Sequence, residues 1–109
     1  MRAVIAEDSV LLREGVAGVL RAAEFDVVGC CDTADDLMLK VRSYAPDVAI
    51  VDIRLPPTHQ DEGLRAALEI RAKYPSVGVL VLSQYLEVGL ALKLFADTAD
   101  GAGYLLKDR

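Results

Sequence analysis

Carboxylates, a hydroxyl and an ammonium stand at the ends of four apolar segments of this sequence. The groups and the segments they follow are Glu7 and Asp8 after 3–6, Asp52 after 48–51, Ser83 after 79–82, and Lys107 after 103–106. Short apolar runs that alternate with helical stretches are typical of buried parallel strands. Ligands of such sheets bind outside the carboxyl ends of the strands. The sequence therefore predicts that these groups meet at one edge of a sheet, in an arrangement suited to phosphoryl chemistry.

Each of these side chains has a definite use in such chemistry. Carboxylates at Glu7, Asp8 and Asp52 would repel one another and resist joint ionisation. A divalent cation with oxygen ligands, Mg²⁺ (or Mn²⁺), removes that repulsion. Asp52 is the candidate nucleophile, because an aspartyl carboxylate can accept a phosphoryl group covalently. The Lys107 ammonium would offset charge on the phosphoryl oxygens, and the Ser83 hydroxyl would donate a hydrogen bond to one of them.

Ordinary structural explanations exist for the same residues. Glu7 and Asp8 would also favour the N-terminus of a following helix. Asp52 and Ser83 could simply end their strands, and Lys107 could be a solvated lysine. Their occurrence together, each at a strand end, favours the functional interpretation.

Predicted strands and helices alternate along the chain. Strands are predicted at 3–6, 27–31, 48–51, 77–82 and 101–106, and helices from Ser9 to about 23, from Asp32 or Thr33 to 44, at 62–73 and at 88–99. This alternation implies an α/β fold with a single doubly wound, five-stranded parallel sheet and right-handed crossovers. In the first helix the predicted core stripe consists of Leu12, Val16, Val19, Leu20 and Ala23. Four helices leave one sheet face under-covered, so residues 1–109 are expected to form one domain that stops before a last helix.

Composition restricts the class of protein further. The chain has 109 residues, a hydrophobic fraction of 53% and a net charge of −5, which exclude a disordered polypeptide and fit one domain. No cluster of basic residues is available to bind nucleic acid. No apolar segment is long enough to cross a membrane, and no signal peptide is recognisable, so a cytoplasmic protein is expected. Cys30 and Cys31 are predicted to be structural, and His59, the only histidine, to be a loop residue rather than a catalytic base.

The motifs together resemble the receiver domain of bacterial two-component response regulators, from Ala3 to Lys107. The resemblance is carried by the acidic pair 7–8, Asp52, Ser83 and Gly-Tyr-Leu-Leu-Lys at 103–107, supported by Leu55-Pro56 and by Gly63. It implies the flavodoxin-like strand order 2-1-3-4-5 and phosphorylation of Asp52 by a histidine kinase. It also implies that Asp8 and Asp52 bind Mg²⁺ directly, Glu7 through water, and Arg54 through its backbone carbonyl.

The resemblance implies a path for the signal as well. Tyr104 corresponds to a switch aromatic that follows the movement of Ser83, and the output face would include Leu90 and Leu94 on the predicted fourth helix. The pattern is similar to regulators that carry a LuxR-type helix-turn-helix, so DNA would be bound only by a domain outside this chain. Self-association is also expected. The loop between Asp52 and Gly63 is longer than the common family form, so no site is predicted between Pro56 and Gly63.

Three large side chains, Arg54, Gln84 and Tyr85, stand at positions that tune the lifetime of the phosphoryl group in this family. We expect Gln84 and Tyr85 to shield the acyl phosphate from water. Replacing both by Ala should therefore speed dephosphorylation, measured as the decay of the phosphorylated protein by intact mass. Unchanged decay would contradict the shielding.

Two other functional classes compete with a phosphorylation switch. A metal-dependent phosphatase with an Asp nucleophile typically has a second acid two residues later, where this chain has Arg54. A pseudo-receiver that acts only as an interaction module would not need the acidic pair, Asp52 and Lys107. A dinucleotide-binding Rossmann domain is excluded, because Glu7-Asp8-Ser9 replaces its glycine-rich turn.

Overall fold

The protein folds around a five-stranded parallel sheet. The computed structural model describes residues 1–83 and the backbone of 102–106. The strands are β1 (Arg2–Ala6), β2 (Asp26–Cys31), β3 (Val48–Asp52), β4 (Gly78–Ser83) and β5 (Ala102–Leu106), and the helices are α1 (Val10–Ala22), α2 (Ala34–Tyr44) and α3 (Glu62–Lys73). Their order in the sheet is β2-β1-β3-β4-β5, as predicted. The predicted fourth helix, 88–99, lies outside the described residues.

Two strands, β3 and β4, extend one residue further at their carboxyl ends than predicted. Asp52 pairs with Leu82 within the sheet, and Ser83 pairs with Leu106. A polar side chain does not interrupt the ladder, because pairing uses only backbone groups. Asp52 and Ser83 are therefore the last residues of β3 and β4 rather than the first residues after them.

Two of the helices begin at the predicted positions, and each has a side-chain cap at its N-terminus. The Ser9 hydroxyl accepts a hydrogen bond from the Leu12 amide at 3.4 Å, and the Thr33 hydroxyl accepts one from the Asp36 amide at 3.2 Å. Such caps satisfy amide groups that have no partner within the helix. Thr33, rather than Asp32, is the N-cap of α2.

The strands bury side chains on both faces of the sheet. On one face, strand residues such as Val4 and Val51 pack with Leu37 of α2 and with Leu64 and Ile70 of α3. The other face carries a smaller cluster of buried residues, which consists of Ile5, Ala17, Ile50 and Leu82. Of these four, only Ala17 belongs to α1. Alternation of side chains along each strand produces these two layers. Within the described part of the chain, no helix has the length and apolar character required to cross a membrane.

The predicted core stripe of α1 is partly wrong. Val16 and Leu20 pack against the core, but Val19 is 71% exposed and Leu12 is 39% exposed. Ala17, which the stripe omitted, is only 1% exposed. Helical spacing marks an apolar face, but the angle at which the helix lies on the sheet decides which part of that face is covered.

The adjacent cysteines point to opposite sides of β2, as predicted. Cys30 is exposed and Cys31 is buried, and neither forms a disulfide. The Cys31 thiol donates a hydrogen bond to the Ile5 carbonyl at 3.5 Å. Burial, with a smaller contribution from Asp36, raises the pKa of Cys31 from 9.0 to about 12. The thiol is therefore protonated at neutral pH and serves as a small core residue.

Candidate functional site

Three carboxylates meet at the carboxyl edge of the sheet. One oxygen from each of Glu7, Asp8 and Asp52 lies within 4.8 Å of the others. Glu7 is fully buried and Asp52 is 3% exposed, whereas the Asp8 side chain is 32% exposed. Two acids are thus set into the protein, and the third borders the solvent.

Sheet topology explains why these residues meet. β1 and β3 are neighbours in parallel register, with Ala6 beside Val51. Glu7 follows Ala6 directly and Asp52 follows Val51, so both acids leave the same edge of the sheet. Residues far apart in sequence become neighbours because parallel strands present their carboxyl ends on one side.

Backbone amides hold two of the carboxylates. The Ser9 amide donates a hydrogen bond to Glu7 Oε2 at 3.1 Å, and the Arg54 amide donates one to Asp52 Oδ1 at 3.3 Å. The donor set consists only of carboxylate oxygens, which suits a hard cation such as Mg²⁺.

Ser83 lies at the same edge, at the end of β4. It is 2% exposed, and its β5 partner is Leu106, the residue that precedes Lys107. Tyr104 lies within β5 and pairs with Val81. The other predicted positions, Lys107, Gln84, Tyr85, Leu90 and Leu94, lie outside the described residues, as does the side chain of Tyr104. Their roles remain predictions.

Gly63, in the first turn of α3, lies directly against the backbone of Asp52, the candidate nucleophile. Its amide donates a hydrogen bond to the Ile53 carbonyl at 2.8 Å. A β-carbon on Gly63 would lie 1.7 Å from the Asp52 carbonyl oxygen and 2.9 Å from that of Ile53. Both obstacles are backbone atoms, so only a residue without a side chain fits at this position.

A contact that the sequence did not reveal joins the long loop to the acidic cluster. His59 Nε2 lies 3.0 Å from Asp8 Oδ2, across 51 residues of sequence. An ionised carboxylate only accepts hydrogen bonds, so the imidazole donates. His59 was correctly predicted to lie in a loop, but nothing in its local sequence indicated that the loop returns to the end of β1.

The loop is organised by a buried acid at the start of α3. Glu62 accepts hydrogen bonds from the Thr58 hydroxyl, the Thr58 amide at 2.9 Å and the Gln60 amide at 3.2 Å. These bonds, chiefly that from the Thr58 hydroxyl, lower the pKa of Glu62 from 4.5 to about 2. The polar run that follows Pro57 carries these groups, but their pairing depends on the closed shape of the loop.

Glu62→Gln is expected to destabilise the protein in a pH-dependent way. The folded-state pKa of Glu62 lies below its unfolded value, so the carboxylate contributes stability in full above about pH 4.5. That contribution is lost as the pH falls from 4.5 towards 2. The difference in urea midpoint between wild type and Glu62→Gln should therefore be largest near pH 7 and shrink over this range.

The matched control is Glu69→Gln on the same helix. Glu69 makes an exposed ion pair with Lys73 at 2.8 Å, and pairs of this kind contribute about 0.3–0.5 kcal/mol. At pH 7, Glu69→Gln should lower the urea midpoint less than Glu62→Gln does. A Glu62→Gln difference that does not change with pH would contradict the role given to the carboxylate charge.

Two known proteins with similar sequences are named as transcriptional regulatory proteins. The chain is 31% identical over 109 residues to the transcriptional regulatory protein LnrK of Bacillus subtilis (strain 168), covering 99% of this chain and 47% of the relative. It is 35% identical over 106 residues to the transcriptional regulatory protein DegU of Brevibacillus brevis, covering 96% and 43%. The chain thus spans about half the length of the curated relatives it matches.

A solved structure and a family model agree with this similarity. The structure of a DNA-binding response regulator of the LuxR family from Staphylococcus aureus superposes with a TM-score of 0.80 at 28% identity, covering 99% of this chain and 87% of that one. The family model of the response regulator receiver domain matches residues 3–109. The converging acids and the strand order are those expected of such a domain, and the chain belongs to the response regulator receiver domain family.

Proposed function

We propose that this chain is a phosphorylation-controlled switch that receives a phosphoryl group on Asp52 from a histidine kinase. The observation that carries the proposal is the convergence of Glu7, Asp8 and Asp52 within 4.8 Å at the sheet edge. An isolated strand-end acid would need no such neighbours. The chain would act as a signalling protein that reacts once per phosphoryl group, not as an enzyme that turns over a separate substrate.

Transfer would begin at the Asp52 carboxylate. One of its oxygens attacks the phosphorus atom of a phosphohistidine, so that an O–P bond forms while the P–N bond breaks. The leaving imidazole nitrogen keeps the electron pair and takes up a proton. Ser83 would then donate a hydrogen bond to a phosphoryl oxygen, and Lys107 would offset the charge.

Glu7, Asp8 and Asp52 would also hold a divalent cation, Mg²⁺ or Mn²⁺, with the Arg54 carbonyl as a further ligand. When bound, the cation neutralises charge on the carboxylates and on the transferred group. The closeness of these buried oxygen ligands supports this role, since a divalent cation with oxygen ligands offsets the repulsion between neighbouring carboxylates.

Signal output is the more distant part of the proposal. Ser83 and Tyr104 would form the switch, Leu90 and Leu94 the output face, and Arg54, Gln84 and Tyr85 would set the lifetime of the phosphoryl group. The two relatives described above are named as transcriptional regulators. We propose that this chain likewise controls transcription through a DNA-binding domain outside residues 1–109, with self-association as part of activation, in the cytoplasm.

Incubation with acetyl phosphate and Mg²⁺, followed by intact mass measurement, tests the proposal. The protein should gain one phosphoryl group, and the gain should disappear when EDTA removes the cation. A cognate histidine kinase, once identified, should give the same product. No gain with either donor would favour an interaction module that lacks phosphoryl chemistry.

A further inference from the structure

The long loop between β3 and α3 places an imidazole beside the exposed acid of the cluster. His59 Nε2 donates to Asp8 Oδ2 at 3.0 Å, and a carboxylate has a second oxygen with which it can bind a cation. Asp8 is the least buried of the three carboxylates, and therefore the one that the protein interior orients least. A hydrogen bond from the loop supplies the missing constraint.

Several contacts fix His59 in this position. Its backbone has φ 56°, in the left-handed region, and its amide donates a hydrogen bond to the Leu55 carbonyl at 3.1 Å. The residues on either side, Thr58 and Gln60, donate their amides to the Glu62 carboxylate. Left-handed backbone is unfavourable for a residue that is not glycine, and it persists only where neighbouring contacts impose it. The loop therefore presents the imidazole in a defined place.

We propose that His59 is a positioning residue for the divalent cation site, acting through Asp8. This inference rests on the proposed function, because it assumes that the acidic cluster binds a cation. A ligating carboxylate is held by hydrogen bonds from outside the metal shell, and loss of such a partner typically weakens metal binding roughly ten- to a hundredfold. The long loop thus contributes to the affinity of the site without touching the ion.

Two amide substitutions separate this role from a general effect on the loop. The Gln side chain can place its amide nitrogen near the position of Nε2, whereas Asn is too short to reach it. Asn also tolerates left-handed backbone well, so His59→Asn removes the contact while keeping the turn. Arg65→Ala is the matched control, since Arg65 pairs with Asp61 at 3.2 Å beside the loop.

The measurement is the affinity of each full chain for Mn²⁺. The electron paramagnetic resonance signal of the free ion reports how much Mn²⁺ is unbound. We expect His59→Asn to weaken binding about tenfold, His59→Gln to stay within about threefold of wild type, and Arg65→Ala to match wild type. Circular dichroism should show the same fold in all four proteins.

Other outcomes would overturn the inference. Equal affinity in wild type and His59→Asn would exclude a positioning role and leave the proposed function standing. Tighter binding in His59→Asn would mean that the imidazole competes with the ion. Equal weakening by Asn and Gln would point to the loop rather than to the Nε2 contact. Failure of the wild type to bind Mn²⁺ would overturn both this inference and the cation site.

Discussion

Asp52→Asn is expected to reduce phosphoryl incorporation to background. The amide has nearly the same shape as the carboxylate, but it offers no anionic oxygen with which to form the acyl phosphate. Intact mass after incubation with acetyl phosphate and Mg²⁺ should show one added phosphoryl group in the wild type and none in the variant.

The same variant should remain folded and respond less to Mg²⁺. Removing one of three close carboxylates relieves repulsion, so without divalent cations Asp52→Asn should be at least as stable as wild type. Adding Mg²⁺ should raise the melting temperature of the wild type more than that of Asp52→Asn, because a ligand stabilises the folded state that binds it.

Asp61→Asn serves as the control for Asp52→Asn. Asp61 lies in the loop between β3 and α3, where its side chain is half exposed and paired with Arg65. Phosphoryl uptake by Asp61→Asn should therefore match that of the wild type. Phosphorylation of Asp52→Asn at the wild-type level would show that another residue is the acceptor. An unfolded variant would show that the Asp52 carboxylate is chiefly structural.

Gly63→Ala is expected to cause the largest loss of stability. The added β-carbon would lie 1.7 Å from the Asp52 carbonyl oxygen and 2.7 Å from its carbonyl carbon. A backbone carbonyl cannot rotate away as a side chain can, so α3 or the end of β3 must shift. Overpacking typically costs about 1–3 kcal/mol, and a clash with backbone should reach the upper end of that range or exceed it.

Urea denaturation measures this effect, and Gly18→Ala provides the contrast. Gly18 lies within α1, and a β-carbon there would meet nothing within 4 Å. That substitution should stabilise the protein by about 0.5–1 kcal/mol, because Ala favours helix over Gly. Similar midpoints for Gly63→Ala and wild type would mean that α3 does not approach β3 so closely.

Local sequence was sufficient for the elements that periodicity and capping specify. Buried parallel strands read as apolar runs, so all five strands were predicted within about two residues of their observed bounds. Ser9 marked the start of α1, because its side chain caps the helix within the same few residues. The strand-end acids were also predictable, since parallel topology brings the carboxyl ends of strands together.

Features that depend on how elements approach one another were not predictable in the same way. The exposure of Val19 and the burial of Ala17 follow from the angle at which α1 lies on the sheet. The requirement for Gly63 arises from the approach of α3 to the Asp52 carbonyl. Neither property is encoded in the residues immediately around it.

The sequence by itself predicted the parallel α/β architecture and the acidic cluster, because these follow from the alternation of strands and helices and from residue type at the strand ends. The strand order was implied only by the family resemblance. Only the tertiary structure decided that the long loop closes on Glu62 and places His59 against Asp8. The physical reason is distance along the chain. A contact across 51 residues depends on the combined geometry of two strands and a loop, which no local pattern specifies.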